Sequence, residues 1–235
     1  MRRSRGRCLS AVAVAVSIAV SGCGKSNPVS QTAVDSVTRA SAVSYAGFVN
    51  LRPGDLAWER LKPGGVTHVS YATYKLFRCE GRSANVAVFS SHSGTYGSRG
   101  AGSMQSGVAV LPTPALAATD TRAALSDRAF ACTKRALAPP TMRLPNGRTF
   151  DRGPGRLRRL AGLLPGVSGD YRWRETWTHH SSDGIASHVF LDYLGFVVGP
   201  SEVVLQVRSL GKPLPDATEL QALRALYRRA RARQP

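Results

Sequence analysis

Hydrophobic and polar positions divide the chain into an opening apolar run and a long stretch of changing period. Residues 8–20 (CLSAVAVAVSIAV) are uncharged and mostly apolar. That is the length of a signal-peptide core and falls short of the ~20 residues that span a bilayer. Residues 45–56 (YAGFVNLRPGDL) alternate weakly before a turn at Pro53-Gly54-Asp55, which predicts a short strand or extended segment. Residues 66–78 fit two patterns. Val69, Thr73, Leu76 and Phe77 make a helical stripe, whereas the β-branched and aromatic content suits a strand; a helix ending near Cys79 is favoured.

Strands are predicted at 85–90 (NVAVFS) and 107–111 (GVAVL), joined by a Gly- and Ser-rich loop that reads as a hairpin with a mobile tip. Residues 120–137 form a helix capped by Asp120, with Leu125, Ala129, Cys132 and Ala136 on its inner stripe. Residues 138–169 hold five prolines and six glycines and read as a long connection with a short helical turn at 156–164. Three strands follow, at 170–179, 185–197 and 202–209. Asp183-Gly184 turns the first pair and Gly199-Pro200-Ser201 the second. A helix at 216–233 closes the chain, with Asp216 and Glu219 as a capping box and Leu220, Leu223, Tyr227 and Ala230 as its apolar side. The sum is an α+β domain of two layers, an antiparallel β-sheet with helices packed on one face and a C-terminal helix.

The flanks of the first apolar run turn it into an address. Arg2, Arg3, Arg5 and Arg7 precede it, and Val20-Ser21-Gly22-Cys23 follows it. An aliphatic residue and two small ones before a cysteine form a lipobox: the small residues let the signal peptidase close on extended backbone, and the Cys23 thiolate takes the lipid. Residues 1–22 are therefore expected to be a lipoprotein signal peptide. Residues 23–43, rich in Ser, Thr, Ala and Val, read as a lipid-anchored flexible tether, and 44–235 as a single extracytoplasmic domain on the outer face of the cell membrane. A transmembrane anchor would need a longer run, and an ordinary secretory leader with a chance cysteine is the other alternative. Gly24-Lys25-Ser26 imitates the end of a phosphate-binding loop, but Ala19 stands where that motif needs glycine.

This address changes how the cysteines read. Cys8 leaves with the leader and Cys23 is lipidated, so Cys79 and Cys132 remain in an oxidising compartment. Two leftover cysteines there pair as a disulfide, free buried thiols being the alternative. The loop so closed spans 132 − 79 = 53 positions, for which chain-entropy reasoning gives roughly 4 kcal/mol.

Charge narrows the partners. The net charge of +18 becomes 18 − 4 = +14 without the leader. Arg152, Arg156, Arg158 and Arg159, with Arg228 and Arg229 of the last helix and with Arg172 and Arg174, are candidates for one anion-binding face. Anionic headgroups lie within a tether's reach, and each Lys or Arg near them contributes about 1 kcal/mol. The expected partner is an anionic envelope lipid or polymer, or an envelope protein. A solvated Arg-rich surface is the bland alternative, and the location argues against nucleic acid.

Signatures for catalysis or metal binding are missing: no G-x-S-x-G, H-E-x-x-H, Walker motif or Cys/His metal spacing occurs. A two-residue turn at Asp183-Gly184 would set His179 opposite His188, a weak metal candidate with Asp192 or His180 in reach; ordinary sheet surface is the stronger reading. Asp170, Glu175 and Asp192 are the acids of the sheet region from which a hydrolase of envelope polymers would draw its pair. Tyr171, Trp173 and Trp177 share one strand face by period two, a core face or, if open, a cleft. No cofactor and no enzymatic activity are expected.

The GFVNLRPGDL stretch, Cys79, GVAVLPTPALAA before the Cys132 helix, and LDYLGFVVGPSEVVLQ before the last helix together resemble actinobacterial cell-envelope lipoproteins. The two-cysteine plan and the closing strand–strand–helix also resemble the extracellular sensor domains of mycobacterial serine/threonine kinases and, more distantly, PsbP-like lipoproteins. These resemblances imply a sheet-and-helix fold and a non-enzymatic sensing or scaffolding role. The kinase sensors have two disulfides, where this chain has cysteines for one.

Overall fold

The computed structural model describes residues 37–62, 65–66, 87–98, 102–138, 141–143, 149–151, 153–180 and 186–235. Helix α1 (Arg39–Val49) opens the fold, with Thr38 Oγ1 accepting from the Ser41 N–H at 3.1 Å. Its buried stripe is Ala42, Tyr45, Ala46 and Val49, a 3.6-residue period. The strand expected from residue 45 is thus a helix, and it begins inside the segment read as tether to residue 43. Small residues hid it: Ala42 and Ala46 carry little hydrophobic signal but let the helix sit close on the sheet.

The main sheet is antiparallel throughout. Its strands are β1 (Glu59–Lys62), β2 (Gly65–Val66), β3 (Phe89–His92), β4 (Thr95–Ser98), β5 (Gly102–Val110), β8 (Arg156–Leu160), β9 (Tyr171–His180), β10 (Ala186–Val198) and β11 (Ser201–Leu210). The order is β1-β4-β5-β11-β10-β9-β8, with β3 also on β5 and β2 beside β3. A separate pair, β6 (Thr141–Arg143) and β7 (Thr149–Asp151), completes the strands.

Strands β3 and β4 follow one edge of β5 with a one-residue slip, since His92 faces Gly107 while Tyr96 faces Met104. This bulge is held by Ser93, whose N–H donates to Ser106 O and whose Oγ accepts from Ser106 N–H. Most of the stretch read as a mobile Gly/Ser loop is therefore ladder, its side chains too small to show a strand period. The helical turn expected at 156–164 is likewise corrected: Arg156–Leu160 is edge strand β8, alternating exposed arginines with buried Leu157.

Two helices stand where one was expected at 120–137. Helix α2 (Pro114–Leu125) starts earlier, with Pro114 in its first turn and Thr113 Oγ1 accepting from Leu116 N–H. Ser126 ends α2 and caps α3 (Asp127–Leu137) through its Oγ, so Asp120 lies inside α2 and not at a helix start. Val66, where the 66–78 helix was expected to begin, ends strand β2; residues 67–78, Cys79 and the Asp183-Gly184 turn lie outside the described residues. The β10–β11 turn is as expected: Val198 faces Ser201 across Gly199-Pro200, and Gly199 takes the left-handed φ of 55°.

The α+β class, the antiparallel sheet and the closing helix α4 (Asp216–Ala232) are as read from the sequence. The helices, however, cover both faces of the sheet. On the first face, α1 and α4 bury Leu194, Phe196, Val203, Leu205, Val108 and Val110, and Tyr45 Oη lies 2.7 Å from Ser201 Oγ. On the second, α2 packs Ala117 on Leu111 and Val197, and α3 packs Phe130 and Leu137 on Leu157 and Trp173. Period two explains the division. Leu194 and Phe196 point one way and Val197 the other, so the apolar run 193–198 marks a strand buried on both sides.

Gly195 lies between those two layers. A Cβ there would meet the Tyr171 ring and the Val203 carbonyl, whereas one at Gly47 of α1 meets nothing within 4 Å. Gly195→Ala is expected to lower stability by about 2 kcal/mol in urea unfolding. Gly47→Ala is expected to raise it by up to about 1 kcal/mol.

Candidate functional site

Strand β9 sorts its residues cleanly. Tyr171, Trp173, Glu175 and Trp177 point to the second face, with Trp173 edge-on to Phe130 at 5.4 Å. Arg172 and Arg174 point to the first face, beneath the start of α4. Register sets Asp192 of β10 directly opposite Arg174, and Leu194 opposite Arg172. Both arginines converge on the one carboxylate. Arg172 donates from Nε and Nη2 to Asp192 Oδ2, at 3.3 and 3.1 Å, and Arg174 donates from Nε to Oδ1 at 2.6 Å and from Nη2 to Oδ2.

Helix α4 supplies the rest. Its first residue, Asp216, places Oδ1 2.9 Å from Arg172 Nη1, and Glu219 places Oε2 2.8 Å from Arg172 Nη2. Arg172, Asp192 and Glu219 are 4%, 2% and 0% exposed, so this is a buried ion cluster that pins α4 to the sheet. The expected capping box is not formed. Pro215, whose side chain has no acceptor, occupies the cap position, and Asp216 and Glu219 lie inside the helix against Arg172. Burial, and then the neighbouring Asp192 carboxylate, push the Glu219 pKa up to about 8. At neutral pH Glu219 keeps its proton. Asp192 and Asp216 then balance Arg172 and Arg174, and the cluster is neutral.

Next to it, the edge of the sheet is unbalanced. Arg158 of β8 lies directly opposite Arg174, and Arg156 lies two residues along, opposite Thr176. Both are exposed, on the same face as the cluster, and neither has a carboxylate partner among the described residues. Like charges directly opposite across a ladder repel. The β8–β9 ledge beside the first turn of α4 thus presents Arg156 and Arg158 outward, over an Arg174 already held by Asp192.

The other candidate arginines separate from this ledge. Arg159 turns to the second face, lies 4.4 Å over the Phe130 ring and bonds Asp127 and the carbonyls of Leu125 and Ser126. Arg229 donates to Asp55 and to the carbonyls of Val49 and Asn50, fixing the end of α1. Burial acts to raise the Asp55 pKa, but the bonds from Arg229 and the Arg52 N–H outweigh it and hold the group below its ordinary value. These two arginines serve the fold. Arg228 is exposed on the outer side of α4, away from the ledge, and Arg152 lies outside the described residues.

The facing histidines are corrected by one register step. His179 pairs with Ser187 and His188 with Thr178, so the imidazoles point to opposite faces. The connection closed by the His180–Ala186 pair has five residues instead of the even number assumed. Asp192 and Glu175 also lie on opposite faces, and Asp170 sits in the loop before β9, where its Oδ2 accepts from Leu164 N–H. The three acids expected to supply a pair do not meet. The carboxyls that do meet are Asp192 and Glu219. Their signal in the sequence was Asp192 alone in an apolar strand, with two acids three residues apart opening the helix. Cys132 is half-buried on α3, while Cys79 lies outside the described residues.

Fold and site together define an α+β domain, helices on both faces of an antiparallel sheet, with a buried Arg–carboxyl cluster and an arginine ledge. No protein family matches the chain, and no curated protein is similar to it. Among solved structures it shows a weak likeness to the extracellular domain of PknH from Mycobacterium tuberculosis, at 11% identity and a TM-score of 0.46, over 83% of this chain and 98% of that one. No helix among the described residues is long and apolar enough to cross a membrane.

The cluster fixes a pH dependence. Glu219 has a folded pKa of about 8 against an ordinary 4.5, so the folded chain holds one more proton between those values. The stability contribution is full below pH 4.5 and is progressively lost as pH rises to about 8. Glu219→Gln, neutral throughout, is expected to flatten this slope in denaturant unfolding measured from pH 5 to pH 9.

Proposed function

We propose that the chain is a lipid-anchored, extracytoplasmic binding domain, without enzymatic activity, that takes an anionic envelope component at the β8–β9 ledge. The observation that supports this most directly is the cross-strand pairing of Arg158 with Arg174 beside exposed Arg156. Two facing cations on a sheet surface are unfavourable alone and become favourable once an anion sits between them. The Asp192–Glu219 cluster acts as scaffold: it holds Arg174 upright and anchors the helix that walls the ledge. The anchoring at Cys23 rests on basic residues, apolar run and lipobox following one another in the sequence.

Retention on phosphocellulose tests the site against net charge. Arg156→Ser/Arg158→Ser is expected to elute at clearly lower salt than Arg128→Ser/Arg135→Ser, a control with the same charge change on α3. Coelution of the two variants would reduce the ledge to bulk charge. In the membrane fraction, the mature chain is expected to begin at an acylated Cys23, seen as a lipid mass on the N-terminal peptide and abolished by Cys23→Ala.

A disulfide between Cys79 and Cys132 belongs to the same reading. Reduction is expected to add the mass of two hydrogens to the purified chain and to cost about 4 kcal/mol of stability. Unchanged mass would mean free thiols.

A further inference from the structure

We infer that the layer formed by α1 and α4 is the surface on which the domain lies against the bilayer, its partner being anionic lipid headgroups. This deepens the anchoring reading and rests on it. The first ground is where the chain attaches. Thirteen residues, 24–36, separate Cys23 from the described fold, which begins at Val37 immediately before α1. Fully extended they reach about 45 Å, close to the roughly 40 Å width of a domain of this size. Attachment beside α1 starts the tether on this layer, and because a reach equal to the domain's width lets any face approach the bilayer, the charge of the face selects the one that docks.

The second ground is the charge of that face. On α4, Ala217, Gln221, Arg224, Arg228 and Arg231 recur at helical spacing and all are exposed. On α1, Arg39, Val43, Ser44 and Gly47 turn outward, with Val43 42% exposed. Arg233 bridges the two helices by donating to Ser44 Oγ at 2.9 Å. Helix α1 contains no acid. The acids nearby are paired with arginines of the fold, Glu219 and Asp55 in enclosed pairs with Arg172 and Arg229, and Asp216, itself 68% exposed, with Arg172. The described residues of this layer therefore turn arginines and an exposed valine outward, with no unengaged carboxylate. Guanidinium groups ringing a small apolar contact match a phosphate-rich interface. The β8–β9 ledge opens on the same side of the sheet, so a headgroup can reach Arg156 and Arg158 while the helices rest on its neighbours.

The chain purified from bacterial membranes is reconstituted into phosphatidylcholine vesicles with or without about a third phosphatidylglycerol. A genetically encoded fluorophore replaces Val43 on α1 or, as a control of equal exposure on the opposite layer, Leu116 on α2 (42% and 41%). The quencher is carried on lipid headgroups. On anionic vesicles, quenching at position 43 is expected to exceed that at position 116 several-fold. The difference should vanish on neutral vesicles, in 0.5 M salt (where the screening length falls to about 4 Å), and in Arg224→Ser/Arg228→Ser/Arg231→Ser. Equal quenching at both positions on anionic vesicles would overturn the inference, as would a difference that survives the triple substitution. Flotation separates this from failure of the anchor: a chain that does not float with vesicles refutes the anchoring reading and the inference with it.

Discussion

Arg172 is the group on which the rest of the structure depends. A guanidinium buried to 4% exposure is tolerated only when nearly every N–H finds an acceptor. Three carboxyls from two elements meet it: Asp192 from the neighbouring strand, Asp216 and Glu219 from α4. That requirement fixes both the height at which α4 crosses the sheet and its rotation, since the first turn must aim its acids downward. Breaking such a buried pair from one side leaves a charge without compensation, a penalty of about 3–5 kcal/mol, far above that of an exposed pair.

The cluster has a further consequence for Glu219. Asp216 is 68% exposed, but Asp192 and Glu219 are enclosed side by side, and one acid of that buried pair keeps its proton. Glu219 is the most enclosed and takes that role. With the cluster neutral, the cations at the β8 edge have no internal counter-charge among the described residues, and their field is directed outward. A structural device that locks the last helix thus produces the electrostatic asymmetry from which the proposed anion binding is argued. The ion pair of Arg229 and Asp55 does comparable work at the far end of the same layer, tying α4 to the end of α1.

Much of the second half of the fold was legible in the sequence. The strands of residues 171–210 and the last helix follow from strong alternation, a Gly-Pro turn and a long amphipathic stripe. In the first half, the strands read at 107–111 and 85–90 overlap β5 and β3, and the rest was not legible. Helix α1 has a stripe of alanines whose hydrophobic signal is weak, and β4 and β5 run through Gly and Ser whose side chains leave no period to read. The single helix expected at 120–137 divided because Ser126 serves as both end and cap, a role visible only in backbone geometry. The histidine pair failed for a sharper reason, that a single residue of register exchanges the two faces of a strand.

The sequence by itself determined the class of fold and a strong excess of arginine, and it raised the expectation of a lipid address at Cys23 that would leave Cys79 and Cys132 as a pair. These are local properties, written in composition, spacing and period. Tertiary structure alone decided which arginines are available. Arg159 and Arg229 are engaged within the fold, Arg172 and Arg174 are absorbed by Asp192 of the neighbouring strand and, for Arg172, by two acids of the last helix, and Arg156, Arg158, Arg224 and Arg228 are left facing solvent. The reason is physical: a charge's role is set by what lies within a few ångströms of it, and those neighbours are chosen by strand register and helix docking, not by position along the chain.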